Sequence, residues 1–144
     1  MDLVFHVKLY ALTLGVFLAI DLLWLGVAAR GFYQTQLRSF LSPTVNWPAA
    51  FVFYLLYVIG ILIFAVLPGL AADSLAVAAG WGALFGFFTY ATYELTNLAT
   101  LKDWPLKLVL VDTAWGVGLC TVVAGAGFLL GTWLISPDEV SGLP

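Results

Sequence analysis

Four long apolar stretches divide the chain: Leu9 to Ala29, Ala49 to Leu67, Leu75 to Leu98 and Lys107 to Leu134. Each is close to the roughly 20 residues of helix that cross the hydrocarbon core of a bilayer. Short segments separate them. Pro48 stands at the start of the second stretch, Pro68-Gly69 at its end and Pro105 just before the fourth, where proline and glycine punctuate helices without breaking them. The pattern predicts an all-α polytopic membrane protein: a four-helix transmembrane bundle with short loops, with residues 1–144 forming a single integral membrane domain. The first stretch carries Asp21 and Trp24 and is followed by no Ala-x-Ala-like site, so it reads as a retained span and not as a cleaved signal peptide.

Composition agrees with that reading. The 144 residues are 63% hydrophobic and 9% charged, with a mean hydropathy of +1.07, outside the range of soluble domains. The net charge of -3 leaves no basic patch to neutralise phosphates, so nucleic acid is excluded as a partner. Cys120 is the one cysteine and makes no internal disulfide; inside an apolar run it reads as a small packing residue.

Basic residues favour the cytoplasmic side in short loops. Arg30 and Arg38 lie in the first loop, Lys102 and Lys107 in or beside the third, and Lys8 alone at the opposite end. Both termini are therefore expected outside, with the acidic tail at Asp138-Glu139, and the first and third loops in the cytoplasm.

Three of the eight acidic residues lie in the spans themselves: Asp21 after the apolar run Leu14 to Ile20, Glu94 within Thr89-Tyr-Ala-Thr-Tyr-Glu-Leu-Thr-Asn97, and Asp112 after Leu108 to Val111. A carboxyl is costly at such positions and marks a functional candidate by default. With the spans alternating in direction, Asp21, Tyr54, Tyr57, Tyr90, Tyr93, Glu94, Asn97, Asp112 and Trp115 all fall toward the cytoplasmic ends. The other leaflet is left to Leu, Val, Ala, Gly and Phe. The expectation is a polar pocket in the inner leaflet, walled by aromatics.

Residues three or four apart share a helix face. Asp21 is so paired with Trp24, Asp112 with Trp115 and Gly116, Glu94 with Tyr90 and Asn97, and Tyr54 with Tyr57. Indole N–H and phenol O–H groups are suitable donors to carboxyls where water is scarce. The competing reading is that these polar groups only glue helices together, with Arg30 reaching back to cover Asp21. Gly82-x-x-x-Gly86 and Gly127-x-x-x-Gly131 predict close helix approach within the bundle. Trp47, Trp104 and Trp133 fall at span ends, where indoles anchor at the interface, and carry no chemistry in this reading. His6 has no Cys or His partner at ligand spacing, so no metal site is expected.

Gly-x-Ser-x-Gly, His-Glu-x-x-His, phosphate-loop and dinucleotide signatures are absent from the sequence, and no cofactor is assigned. The segments Asp21-Leu-Leu-Trp-Leu-Gly26, Gly31-Phe-Tyr33, Tyr57-x-x-Gly-Ile61, the run from Thr89 through Asn97 to Trp104-Pro105, and Asp112-Thr-Ala-Trp-Gly116 resemble a bacterial family of small inner-membrane proteins known as domain of unknown function 2177. The resemblance covers nearly the whole chain and implies a four-span membrane protein; in that family the acid at the Glu94 position is more often Asp. Trp47-Pro-x-x-Phe51 followed by Tyr57-x-x-Gly60 is more weakly similar to the tryptophan-rich sensory proteins, which bind tetrapyrroles and usually have five spans.

These readings converge on a protein that binds or transports a small amphipathic or lipid-like molecule. Asp21, Glu94 and Asp112 would supply acid groups, Tyr57, Tyr90 and Asn97 hydrogen bonds, and Trp24 and Trp115 apolar walls. The alternatives are a membrane-embedded enzyme of lipid or isoprenoid metabolism, working through carboxyls and tyrosines, and an accessory subunit of a membrane complex with protein partners.

Overall fold

The computed structural model describes residues 1–135, all of whose regular structure is helical; Asp138-Glu139 lies outside the described residues. The first span is α1 (Leu3–Leu23), continued by a π-helical turn at Trp24–Ala28. Asp2 caps it, its Oδ1 accepting from the Phe5 N–H at 2.8 Å, which starts the helix a turn and a half before the apolar run. A short α2 (Arg30–Gln36) follows in the first loop.

The second span is α3 (Trp47–Ile61), a π-helical turn at Leu62–Val66, and α4 (Leu67–Ala71). Asn46 caps it, accepting from the Ala49 N–H at 3.2 Å, and Pro48 occupies the first turn. The expectation that Pro68-Gly69 would end this helix is corrected, because the helix runs through both residues to Ala71. Pro68 lacks the N–H that an α-helix would bond to the carbonyl four residues back. The preceding turn is wound in π register instead, with the Leu67 N–H on the Leu62 carbonyl, and wider turns of this kind absorb such mismatches in membrane helices.

The third and fourth spans are α5 (Leu75–Thr100), capped by Ser74, and α6 (Leu106–Leu134), which begins after Pro105. Among the described residues, four helices are thus long and apolar enough to cross a membrane. Large apolar side chains such as Leu56, Phe64, Phe88, Leu110 and Leu129 stand exposed on the outside of the bundle, as bilayer-facing residues do.

A regular stripe along each helix builds the interior. On α1 every fourth residue from Phe5 is buried: Phe5, Leu9, Thr13, Phe17 and then Asp21. The closest seam joins α5 and α6. A Cβ added at Gly82 would lie 2.5 Å from the Cys120 carbonyl and 2.6 Å from Ala124 Cβ, and one at Gly86 would collide with the Gly116 carbonyl. The Tyr90 ring then lies directly against Gly116. Continuing four residues along α5 and four back along α6, the same seam brings Glu94 opposite Asp112. Gly127 sits against Val66 and Gly131 against Leu70, so both glycine pairs serve close approach within the bundle, as their spacing predicts.

Candidate functional site

Asp21, Glu94 and Asp112 sit on three different helices and line one cavity of about 320 Å3. It lies at the end of the bundle that carries the first and third loops. Glu94 is 1% exposed and Asp21 5%. Each acid meets one aromatic donor. Tyr54 donates to Asp21 Oδ2 at 3.0 Å, the Trp104 indole N–H to Glu94 Oε2 at 2.8 Å, and the Tyr33 hydroxyl to Asp112 Oδ1 at 2.5 Å. Asp21 also faces the Trp115 indole, and Glu94 faces the Asp112 carboxyl across the α5–α6 seam.

Two of these donors come from loops. Tyr33 is on α2, which packs through Phe32, Tyr33 and Leu37 onto Trp104, Leu108 and Val109. Tyr33 also accepts from the Trp24 indole at 3.1 Å, giving a directed chain from Trp24 through Tyr33 to Asp112. Burial and the hydrogen bond to Asp112 hold the Tyr33 hydroxyl above its usual pKa range, so it remains a neutral donor. Trp104 follows Asp103, whose φ of 58° is a left-handed conformation that Asp tolerates better than most residues; this turn folds the indole back beneath Glu94.

Trp104 is therefore not the interface anchor its position suggested. It is buried, 7% exposed, whereas Trp47 and Trp133 are 63% and 70% exposed. Arg30 is exposed, and the partner of Asp21 is Tyr54, so the expected Arg30 contact is replaced.

Tyr90, Tyr93 and Trp115 line the same cavity. Trp24 forms its outer support, stacked on Trp115 with centroids 4.2 Å apart and planes 6° from parallel. The Trp115 indole nitrogen is buried with no hydrogen-bond partner. Tyr57 lines an adjoining cavity of about 300 Å3 that shares Phe53, Tyr90, Tyr93 and Asp112 with the first. Its hydroxyl is 2.7 Å from Thr89 Oγ1 and 3.3 Å from Cys120 Sγ.

Asn97, like Trp24 and Tyr57, does not line the acidic cavity itself. It is one turn beyond Glu94 and opens on a separate cleft with Phe40 and Leu101, on the far side of Trp104. Tyr33 and Trp104 are the contributors that spacing along helices did not reveal, because both belong to loops. The one signal for them lies in the segments Gly31-Phe-Tyr33 and Lys102-Asp-Trp-Pro105, which belong to the quoted family pattern although they lie outside the spans.

Chemically, the site offers three carboxyls, aromatic walls and no Lys, Arg or His in its lining. Such a set suits hydrogen-bond donors and positive charge, and excludes anions. Neither a curated protein nor a solved structure matches the chain. The family described as predicted membrane protein (DUF2177) matches it over residues 6–129, which span α1 through most of α6 and every residue of the cavity, and the chain belongs to that family.

Proposed function

We propose that this protein binds, and in doing so moves or presents, a small amphipathic or lipid-like molecule in the three-acid cavity. The observation that carries the reading is the convergence of Asp21, Glu94 and Asp112 from three helices on one cavity, each on its own aromatic donor and with no basic residue in the wall. Acids serving only as helix glue would be expected to bond directly from span to span. Here Asp21 is bonded from span to span by Tyr54, but Asp112 and Glu94 take their donors, Tyr33 and Trp104, from the loops. The exposed basic residues Arg30, Arg38, Lys102 and Lys107 flank the same end of the bundle, which by the positive-inside rule supports a cavity in the cytoplasmic leaflet of a bacterial inner membrane.

Native mass spectrometry of the protein extracted gently from its own membranes tests the reading. A discrete bound species is expected, lost in the Glu94→Gln/Asp112→Asn variant although that variant still inserts and folds. Protein partners in place of any small molecule would instead support an accessory subunit and overturn the proposal.

The opposition of Glu94 and Asp112 across the α5–α6 seam favours a second reading, a membrane enzyme in which the two carboxyls act as acid and base on a lipid-like substrate. A changed lipid composition on deletion, restored by wild type and not by the acid variants, distinguishes catalysis from binding.

A further inference from the structure

The inner half of the second span stands away from the third. α4 and the π-helical turn at Leu62–Val66 pack closely against α5, with Gly69 against Ala78, whereas the α3 backbone stands farther off and meets α5 through side chains, Gly60 against Phe85 and Tyr57 on Thr89. The two spans therefore form a V, closed toward the α4–α5 turn and open toward the acids. The cavity that holds Tyr57 lies in this opening, shares Asp112 with the acidic cavity, and shares Thr89 with a third, wholly apolar groove of about 260 Å3. That groove is walled by Phe64 from the second span and by Trp81, Leu84, Phe85 and Phe88 from the third. Of its walls, Phe64, Trp81 and Phe88 are 60%, 51% and 62% exposed on the lipid-facing side. Three adjoining cavities thus form a track from buried carboxyls, past the mutually hydrogen-bonded Tyr57 and Thr89 hydroxyls, to an aromatic groove that faces the hydrocarbon.

We infer that the track is the seat of a single-chain amphiphile with a cationic amine or ammonium head, which slides in sideways from the bilayer between α3 and α5. The inference rests on the amphiphile-binding reading above and adds the charge of the head, the seat of the tail and the route. Three carboxyls without a basic neighbour in low dielectric are costly unless a counter-charge arrives. Seven of the thirteen residues lining the acidic cavity are aromatic, and ring faces attract ammonium groups, more strongly when desolvated. An anionic head would meet the carboxyls unscreened. The groove has no polar partner to offer and is suited to a hydrocarbon chain, which there would exchange lipid contact for aromatic contact.

The test uses the full chain in maltoside micelles, incubated with an equimolar mixture of dodecylamine, dodecyltrimethylammonium, dodecanol and dodecanoate and read by native mass spectrometry. The two cations are expected to be retained at least about tenfold over the alcohol and the anion. Asp21→Asn/Glu94→Gln/Asp112→Asn should abolish that preference. Phe64→Ala/Phe88→Ala, which leaves the acids intact, should weaken dodecylamine but not butylamine. Equal retention of all four probes by wild type overturns the inference while leaving amphiphile binding standing. Retention of none overturns both. The wild-type comparison does not depend on the triple variant folding.

Discussion

Trp104 and Glu94 lie ten residues apart in sequence, yet the buried indole N–H of one meets the carboxylate of the other at 2.8 Å. The contact closes the third loop against the end of α5. It depends on the turn at Asp103, where the backbone adopts φ 58°. A loop residue thereby becomes the floor of the acidic cavity, and the burial of Glu94 depends on a donor that no helical periodicity supplies.

Trp104→Phe keeps an aromatic ring in place but strands the Glu94 carboxyl, since a buried acceptor that loses its donor bears its desolvation penalty in full. The expected loss is about 1–3 kcal/mol. In a Glu94→Leu background the same substitution should cost much less, because no polar group is left to satisfy. Unfolding midpoints in maltoside micelles for the four members of the cycle test this; equal losses in both backgrounds would show that the hydrogen bond contributes nothing.

Tyr33→Phe removes both the acceptor of the Trp24 indole and the donor to Asp112. Amide exchange across Arg30–Gln36 should accelerate about tenfold or more, since two hydrogen bonds of about 0.5–1.5 kcal/mol each are lost. Because burial raises the folded-state pKa of Tyr33 above its usual 10.0, its contribution is whole below that pH and is lost as pH rises toward the folded value. Exchange of α2 in wild type should therefore be unaffected by the Tyr33 ionisation across the neutral range. A Tyr33→Phe protein with unchanged exchange would mean that α2 is held by Phe32 and Leu37 alone.

What could be read from the chain follows physical scale. The four spans were legible because a run of some 20 apolar residues has few soluble counterparts, and the family resemblance rested on motifs spread through all four. Asp21, Glu94 and Asp112 could be placed at one end because alternating spans bring their polar termini together. The end of the second span is not legible at Pro68, because proline ordinarily stops a helix and here a π-helical turn accommodates it. Nor is the role of Trp104, since the fold-back of a loop is a tertiary event with no periodic signature. Asn97 shared a helix face with Glu94, but its next turn had already passed the cavity, where Trp104 fills the space.

Thr13 is fully buried in the stripe of α1, and its hydroxyl has no hydrogen-bond partner. Thr13→Val exchanges that hydroxyl for a methyl group of similar size, removing a polar group buried without compensation. The variant should be as stable as wild type or more stable by about 1 kcal/mol. A clear loss of thermal stability would reveal a bonding partner for the hydroxyl, such as a buried water.

Glycines in the same helices should respond oppositely to alanine, according to what faces them. At Gly82 the added Cβ would stand 2.5 Å from the Cys120 carbonyl and 2.6 Å from Ala124 Cβ, both on the rigid face of α6; at Gly80 and Gly118 nothing lies within 4 Å. Gly82→Ala should therefore push α5 and α6 apart and cost about 1–3 kcal/mol. Gly80→Ala and Gly118→Ala should gain up to about 1 kcal/mol from helix propensity alone. The seam links stability to the site, since moving α5 off α6 also separates Glu94 from Asp112, three four-residue steps further along α5. Gly82→Ala should accordingly weaken amphiphile retention beyond what its melting temperature explains, while Gly118→Ala, on the same helix as Asp112, should leave retention unchanged. Native mass spectrometry well below the melting point of each variant separates the two effects. Full retention by a destabilised Gly82→Ala protein would mean that the carboxyl pair is positioned by the loops and not by the seam.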